Sequence, residues 1–216
     1  MTAPATPATP ADWIPPLRHL GLEAARRGDI AQARRLPIQP WIHAVTDRQA
    51  PPELAADLRD IWGAVAADLP EPRSDDEHAW RAAWTREPDD LPEAIRIDAD
   101  GPLLPPTAET ALEVWTESEL STLHAVDQLA VDRADDAWRQ RVRRARAWHL
   151  RHTQPDNATN RPWAIAVFLE TGTPDARLYA ETLLHNCRAD GGYPDPLSGL
   201  VLLHVSLRLE GGRSGA

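Results

Sequence analysis

Imidazole is the side chain best suited to proton transfer and metal ligation near neutral pH, and this chain carries eight histidines against a single cysteine. Helical phase decides which of them face inward. At about 100° per residue, Trp138, Val142, Ala145, His149 and His152 fall along one line of a helix predicted over 135–152, so two histidines interrupt an apolar stripe. On a helix predicted over 118–131, Leu120, Leu123, His124, Asp127 and Val131 share a stripe. That places a carboxylate one turn from an imidazole, where it is able to fix the ring's tautomer. If the two helices form an antiparallel hairpin turning near Arg133, His124 lies level with Val142. His149 and His152 then stand roughly 10 Å further along, at 1.5 Å rise per residue. One compact four-ligand centre does not follow from that geometry. Two readings remain: acid–base work by the second pair, or core imidazoles each satisfied by a neighbour.

The densest polar run is HLRHTQPDNATNRPW, from His149 to Trp163, and a second polar turn, NCRADGGYPDP, follows two helices later. Alternate connections of a helical-hairpin stack lie at the same end, so both turns are expected on one rim. The candidate catalytic set there is His149, His152, Asp156, Asn160 and Asp190, with Gln154 and Asn157 beside them, and the chemistry would be that of a small-molecule hydrolase or lyase. Capping and Asx-turn chemistry explains the same residue types between helices without any catalysis. Glu181 and His185, one turn apart, could ligate a divalent metal; with His124, Asp127 and His149 they make a third reading, a metal-binding protein. Cys187 shares a stripe with Ala176, Ala180 and Leu183 and reads as a buried thiol. Asp98 and Asp100 have calcium-loop spacing, but Arg96 occupies the preceding ligand position, so no calcium site is expected. No metal and no cofactor is assigned.

The elements that must position these residues are mostly helical. Residues 17–36 predict two short helices broken at Gly28-Asp29, with Asp29 as an N-cap and Pro37 and Pro40 as stops. Residues 52–69 and 76–86 predict two more, the latter placing Trp80 and Trp84 one turn apart as core packing. EAIRIDADG and ETALEVWTE alternate with a period of two, a β-hairpin signal around residues 94–116. Five further helices follow over 118–131, 135–152, 161–171, 175–188 and 196–209. In the last of these, Val201, Leu203, Val205, Leu207 and Leu209 alternate with Leu202, His204, Ser206, Arg208 and Glu210 and fit a strand as well.

WHLRHTQPDNATNRPW resembles the Trp/Leu helix, Gln, Asp-containing turn and Trp of the α/α-toroid repeats of terpenoid cyclases and prenyltransferases. The resemblance covers Ala147 to Phe168. It implies helical hairpins; the Gly that precedes the Trp in those repeats is missing here, where Ala158 and Asn160 stand nearby, and no catalytic residue carries over.

Charge narrows the function classes. The chain of 216 residues has 23 basic and 33 acidic side chains, net −10, a field that repels phosphate backbones and anionic lipid surfaces. Neither a nucleic acid nor a membrane is expected as a partner. All basic residues are Arg, which removes Schiff-base and phosphate-loop lysines. Residues 71–100 hold ten acids against four Arg, while 133–151 hold seven Arg against two Asp. The arginine run reads either as an anion patch or as a solvated face paired with the acidic stretch. The expectation is a mainly α protein of stacked antiparallel helical hairpins in one globular unit. Residues 1–12 form a disordered Thr/Ala/Pro tail, 13–106 a Pro-rich, acidic, mostly helical part, 107–210 the hairpin part, and 211–216 a flexible end. With no diagnostic motif for an enzyme, the expected function is that of a cytoplasmic, non-enzymatic module that binds a protein partner or serves as an accessory domain.

Overall fold

The computed structural model describes residues 9–108, 110–153, 161–170, 174–186 and 192–211. The tail through residue 8 and the end from 212 fall outside them. So do Gln154, Asp156, Asn157, Asn160, Cys187 and Asp190. Among the described residues there are ten α-helices, two 3-10 turns and no β-strand.

A 3-10 turn, Pro10–Trp13, leads into α1 (Ile14–Arg27). The Gly28-Asp29 break is where the pattern predicts it: Asp29 accepts the Gln32 N–H at 3.0 Å and caps α2 (Ile30–Ala33). Pro40 does not only stop a helix; it sits in the first turn of α3 (Gln39–Gln49), a helix the sequence pattern did not suggest. A first-turn residue has no intrahelical acceptor for its N–H, so proline loses nothing there. α4 (Pro52–Trp62) ends well before residue 69, where Gly63 takes φ +81° at a position that a side chain would strain. α5 (Asp75–Thr85) follows, closed by Arg86 in the left-handed region.

The second half brings α6 (Leu112–Asp132), α7 (Asp136–His152), α8 (Ile165–Glu170), α9 (Pro174–Asn186) and α10 (Pro196–Gly211). α6 packs against α7, and α8 against α9. Asp135 caps α7 by accepting the Ala137 and Trp138 N–H groups at 3.0 and 3.1 Å. The most extensive pairing is between the chain's ends, α1 on α10. Gly21 and Gly199 let the two backbones meet, since a Cβ built on Gly21 would lie 2.7 Å from the Gly199 carbonyl oxygen. α10 is buried from Pro196 to Leu209. A helix buried on all sides has no solvent face to impose a 3.6-residue pattern, which is why its sequence fits a strand equally. Both halves feed one apolar cluster, with Trp80 fully buried and Trp163 nearly so.

Among the described residues of 94–116 no strand forms, so the predicted hairpin is not seen. Residues 112–116 open α6, and the preceding stretch is irregular backbone satisfied by side chains. Arg141 donates to the carbonyls of Arg96, Gly101 and Pro102 at 2.9, 2.9 and 2.6 Å. Arg144 donates to those of Ile97 and Ala99. Glu119 accepts the N–H groups of Leu103 and Leu104 at 2.7 and 2.6 Å. Buried backbone polar groups need partners, and α6 and α7 supply them here in place of a second strand.

Candidate functional site

Of the expected catalytic set, His149 and His152 are the members the structure describes, and they part company. His149 is fully buried, with Nε2 2.9 Å from Glu119 Oε1 and Nδ1 2.8 Å from Thr153 Oγ1. Both ring nitrogens are engaged, and Glu119 is also held by two backbone N–H groups. The ring is a tie between α6, α7 and the irregular segment. His152 is exposed and stacks on Trp148 with centroids 4.6 Å apart. Helical phase predicts both on one face, yet at the C-terminal end of α7 His149 is buried and His152 is exposed beside Trp148.

Asp127 does not orient His124. It lies between two arginines, with Arg146 Nη2 at 2.7 Å and Arg208 Nη2 at 2.6 Å from its Oδ2. Burial pushes its carboxyl up, and the two guanidiniums outweigh that, leaving its pKa below the ordinary aspartate value. His124 instead meets His204 of α10, with Nε2 and Nδ1 2.7 Å apart and Trp80 and Trp163 packed around them. A bond that short between two imidazoles needs one donor and one acceptor, so at least one of the two rings is neutral. Burial brings His124 down from 6.5 to about 4, with Asp127 opposing and Arg208 and Arg146 adding to the fall. Burial likewise takes His204 well below its usual range, helped by His124, Arg208 and Arg48.

Among the described residues no group of three or more His, Cys, Asp or Glu is placed to hold a metal ion. Trp80 is core, as expected, and donates its indole N–H to Ser121 at 3.1 Å. Asp98 and Asp100 pair with Arg96 and Arg144. Among the described residues no helix is long and apolar enough to cross a membrane.

Among the solvent-open cavities of the described residues, two border the candidate residues. One, of about 560 Å³, is lined by the α1–α2 elbow and by the described flanks of both polar connectors, Arg161 and Tyr193 to Pro196. Arg27 lies over the Tyr193 ring, 4.5 Å from its centroid. Behind this region Glu117 accepts the Trp163 indole N–H at 2.6 Å and an Arg161 N–H at 3.1 Å, while burial raises its carboxyl above the usual range. The other cavity, of about 430 Å³, is lined by residues of α6, α7 and α10. Asp127, Arg146 and Arg208 belong to its lining, together with Arg139, Arg143 and an apolar wall that includes Val131 and Leu150.

No family model, curated protein or solved structure matches the chain. The sequence pattern missed Glu119, His204 and Arg208, which lie on helices buried nearly all round, where phase marks no special face. Arg141 was legible, since it stands only 60° from Trp138 at 100° per residue.

Proposed function

We propose that this chain is an α-helical interaction module, built of antiparallel α/α hairpins and working in the cytoplasm, that docks a protein partner through the arginine cleft between α6, α7 and α10. One observation carries the reading: a chain of net −10 gathers four arginines around a single aspartate in one solvent-open cavity. Complementary charge at a cleft steers encounter and fixes orientation. Val131 and Leu150 beside the charges offer the apolar contact that such docking also requires. The test is fluorescence polarisation of a short labelled peptide rich in Glu and Leu. Binding should weaken about tenfold or more in Arg143→Glu and on adding salt. Binding of the variant with the affinity of the wild type refutes the reading.

A small-molecule enzyme with its site at the rim is the second reading. It is favoured by the convergence of Arg161 and Tyr193, one from each polar connector, on the larger cavity. A ligand that raises the melting temperature of the wild type but not of Tyr193→Ala would support it.

A further inference from the structure

The arginines of the cleft fall into two kinds. Arg146 and Arg208 are mostly buried and hold Asp127, so the floor is fixed. Arg139 and Arg143 stand on the rim, one turn apart on the same side of α7. Arg143 is exposed and has no ion-pair partner among the described residues. Arg139 pairs with Asp136 at 3.1 Å, but that carboxylate is 92% exposed. Such an exposed pair is weak and is readily exchanged for a ligand.

We infer that the group docking here is a phosphoryl dianion carried on a side chain of the partner and gripped by Arg139 and Arg143 together. The inference rests on the docking reading above and names the chemistry of its occupant. A carboxylate presents two oxygens and one charge, which a single guanidinium fork satisfies. A phosphorylated serine or threonine presents three acceptor oxygens and nearly two charges, which match two forks one helical turn apart. The cavity of about 430 Å³ has room for the phosphoryl group and the side chain that carries it, with Val131 and Leu150 flanking the carbon stem. The field of the whole molecule sharpens the choice. A net charge of −10 repels polyanions such as nucleic acids and anionic bilayers at long range. A lone dianion meets less of that repulsion and gains the short-range contacts.

The experiment uses the full chain at pH about 7.5, where a phosphomonoester is dianionic. Three labelled peptides of one Leu-containing sequence carry phosphoserine, Glu or Ser at the central position, and binding is read by fluorescence polarisation. The phosphoserine peptide should bind about tenfold or more tightly than the Glu peptide, and inorganic phosphate should compete with it. Arg139→Glu and Arg143→Glu should each cost about tenfold or more while leaving the melting temperature unchanged. Equal affinity for the phosphoserine and Glu peptides would overturn the inference and leave the docking reading standing. A phosphate preference that survives in both variants would place the anion elsewhere and overturn it too. Failure of both peptides to bind would remove the inference and the docking reading together. Binding of phosphatidylserine vesicles or single-stranded DNA at the same arginines, with affinity equal to the phosphopeptide's, would replace the lone dianion by a polyanion.

Discussion

Helix α7 carries one residue type on two faces and uses it in two ways. On one face Arg141, fully buried, and Arg144 thread their guanidiniums into the 95–104 segment and hold its carbonyls. On the other, Arg139 and Arg143 stand at the rim of a cavity, with Arg146 beneath them on Asp127. Positions 141 and 144 fall about 60° apart and well away from 139, 143 and 146 at 100° per residue, so the split is helical phase. A charge run is therefore not a single feature. Each arginine does what its face meets, and a face that meets irregular backbone becomes a clamp.

The clamp and the cleft can be pulled apart by substitution. Arg141→Ala should have the largest effect, because it empties a fully buried position and removes three hydrogen bonds to the carbonyls of Arg96, Gly101 and Pro102. A loss of about 3–5 kcal/mol is expected in urea unfolding at neutral pH. A loss below about 1 kcal/mol would mean that the two faces do not differ in kind.

Acid should act next, on the layer beneath both faces. His124 and His204 have folded pKa values below their unfolded ones, so the unfolded chain binds protons first as pH falls. Stability from this pair is complete above about pH 6.5 and declines as pH drops toward 4. The fall of His124 from 6.5 to about 4 corresponds to about 3 kcal/mol. Urea midpoints between pH 7 and 4 should decline in parallel for the wild type and Arg143→Ala, since the imidazoles carry the loss. A His124→Gln, His204→Gln double variant should flatten the slope over that range, and an unchanged slope would assign it to carboxylates.

The smallest effects sharpen the contrast most. Arg144→Ala gives up its bonds to the Ile97 and Ala99 carbonyls and an ion pair with the exposed Asp100, a loss of about 1 kcal/mol. Arg143→Ala, on the cleft side, should change stability by less than about 0.5 kcal/mol. Thermal melts of the two variants side by side would break the comparison if their order were reversed.

Much of the framework could be read before folding. The Gly28-Asp29 break with its Asp29 cap, and the turn near Arg133, rest on chemistry within a few residues. That turn puts His149 opposite the start of α6, where Glu119 receives it. Other features misled. Alternation in 94–116 suggested strands, but strands need a partner edge, and two arginines and a glutamate took that role. Asp127 seemed paired with His124 by spacing, yet two guanidiniums outcompete an imidazole for a buried carboxylate, since they bring full charge to it.

The sequence by itself determined that this chain is mainly helical, where several helices begin and end, and which arginines of α7 leave the core face. Those properties depend on neighbours three or four residues away, through capping and phase. Only the tertiary structure decided that α1 closes on α10, that His124 finds His204 at a sequence separation of 80, and that Arg208 completes a cleft begun on α6 and α7. Such pairings are chosen by which buried polar groups can be satisfied together when distant helices pack, and no local pattern encodes that choice.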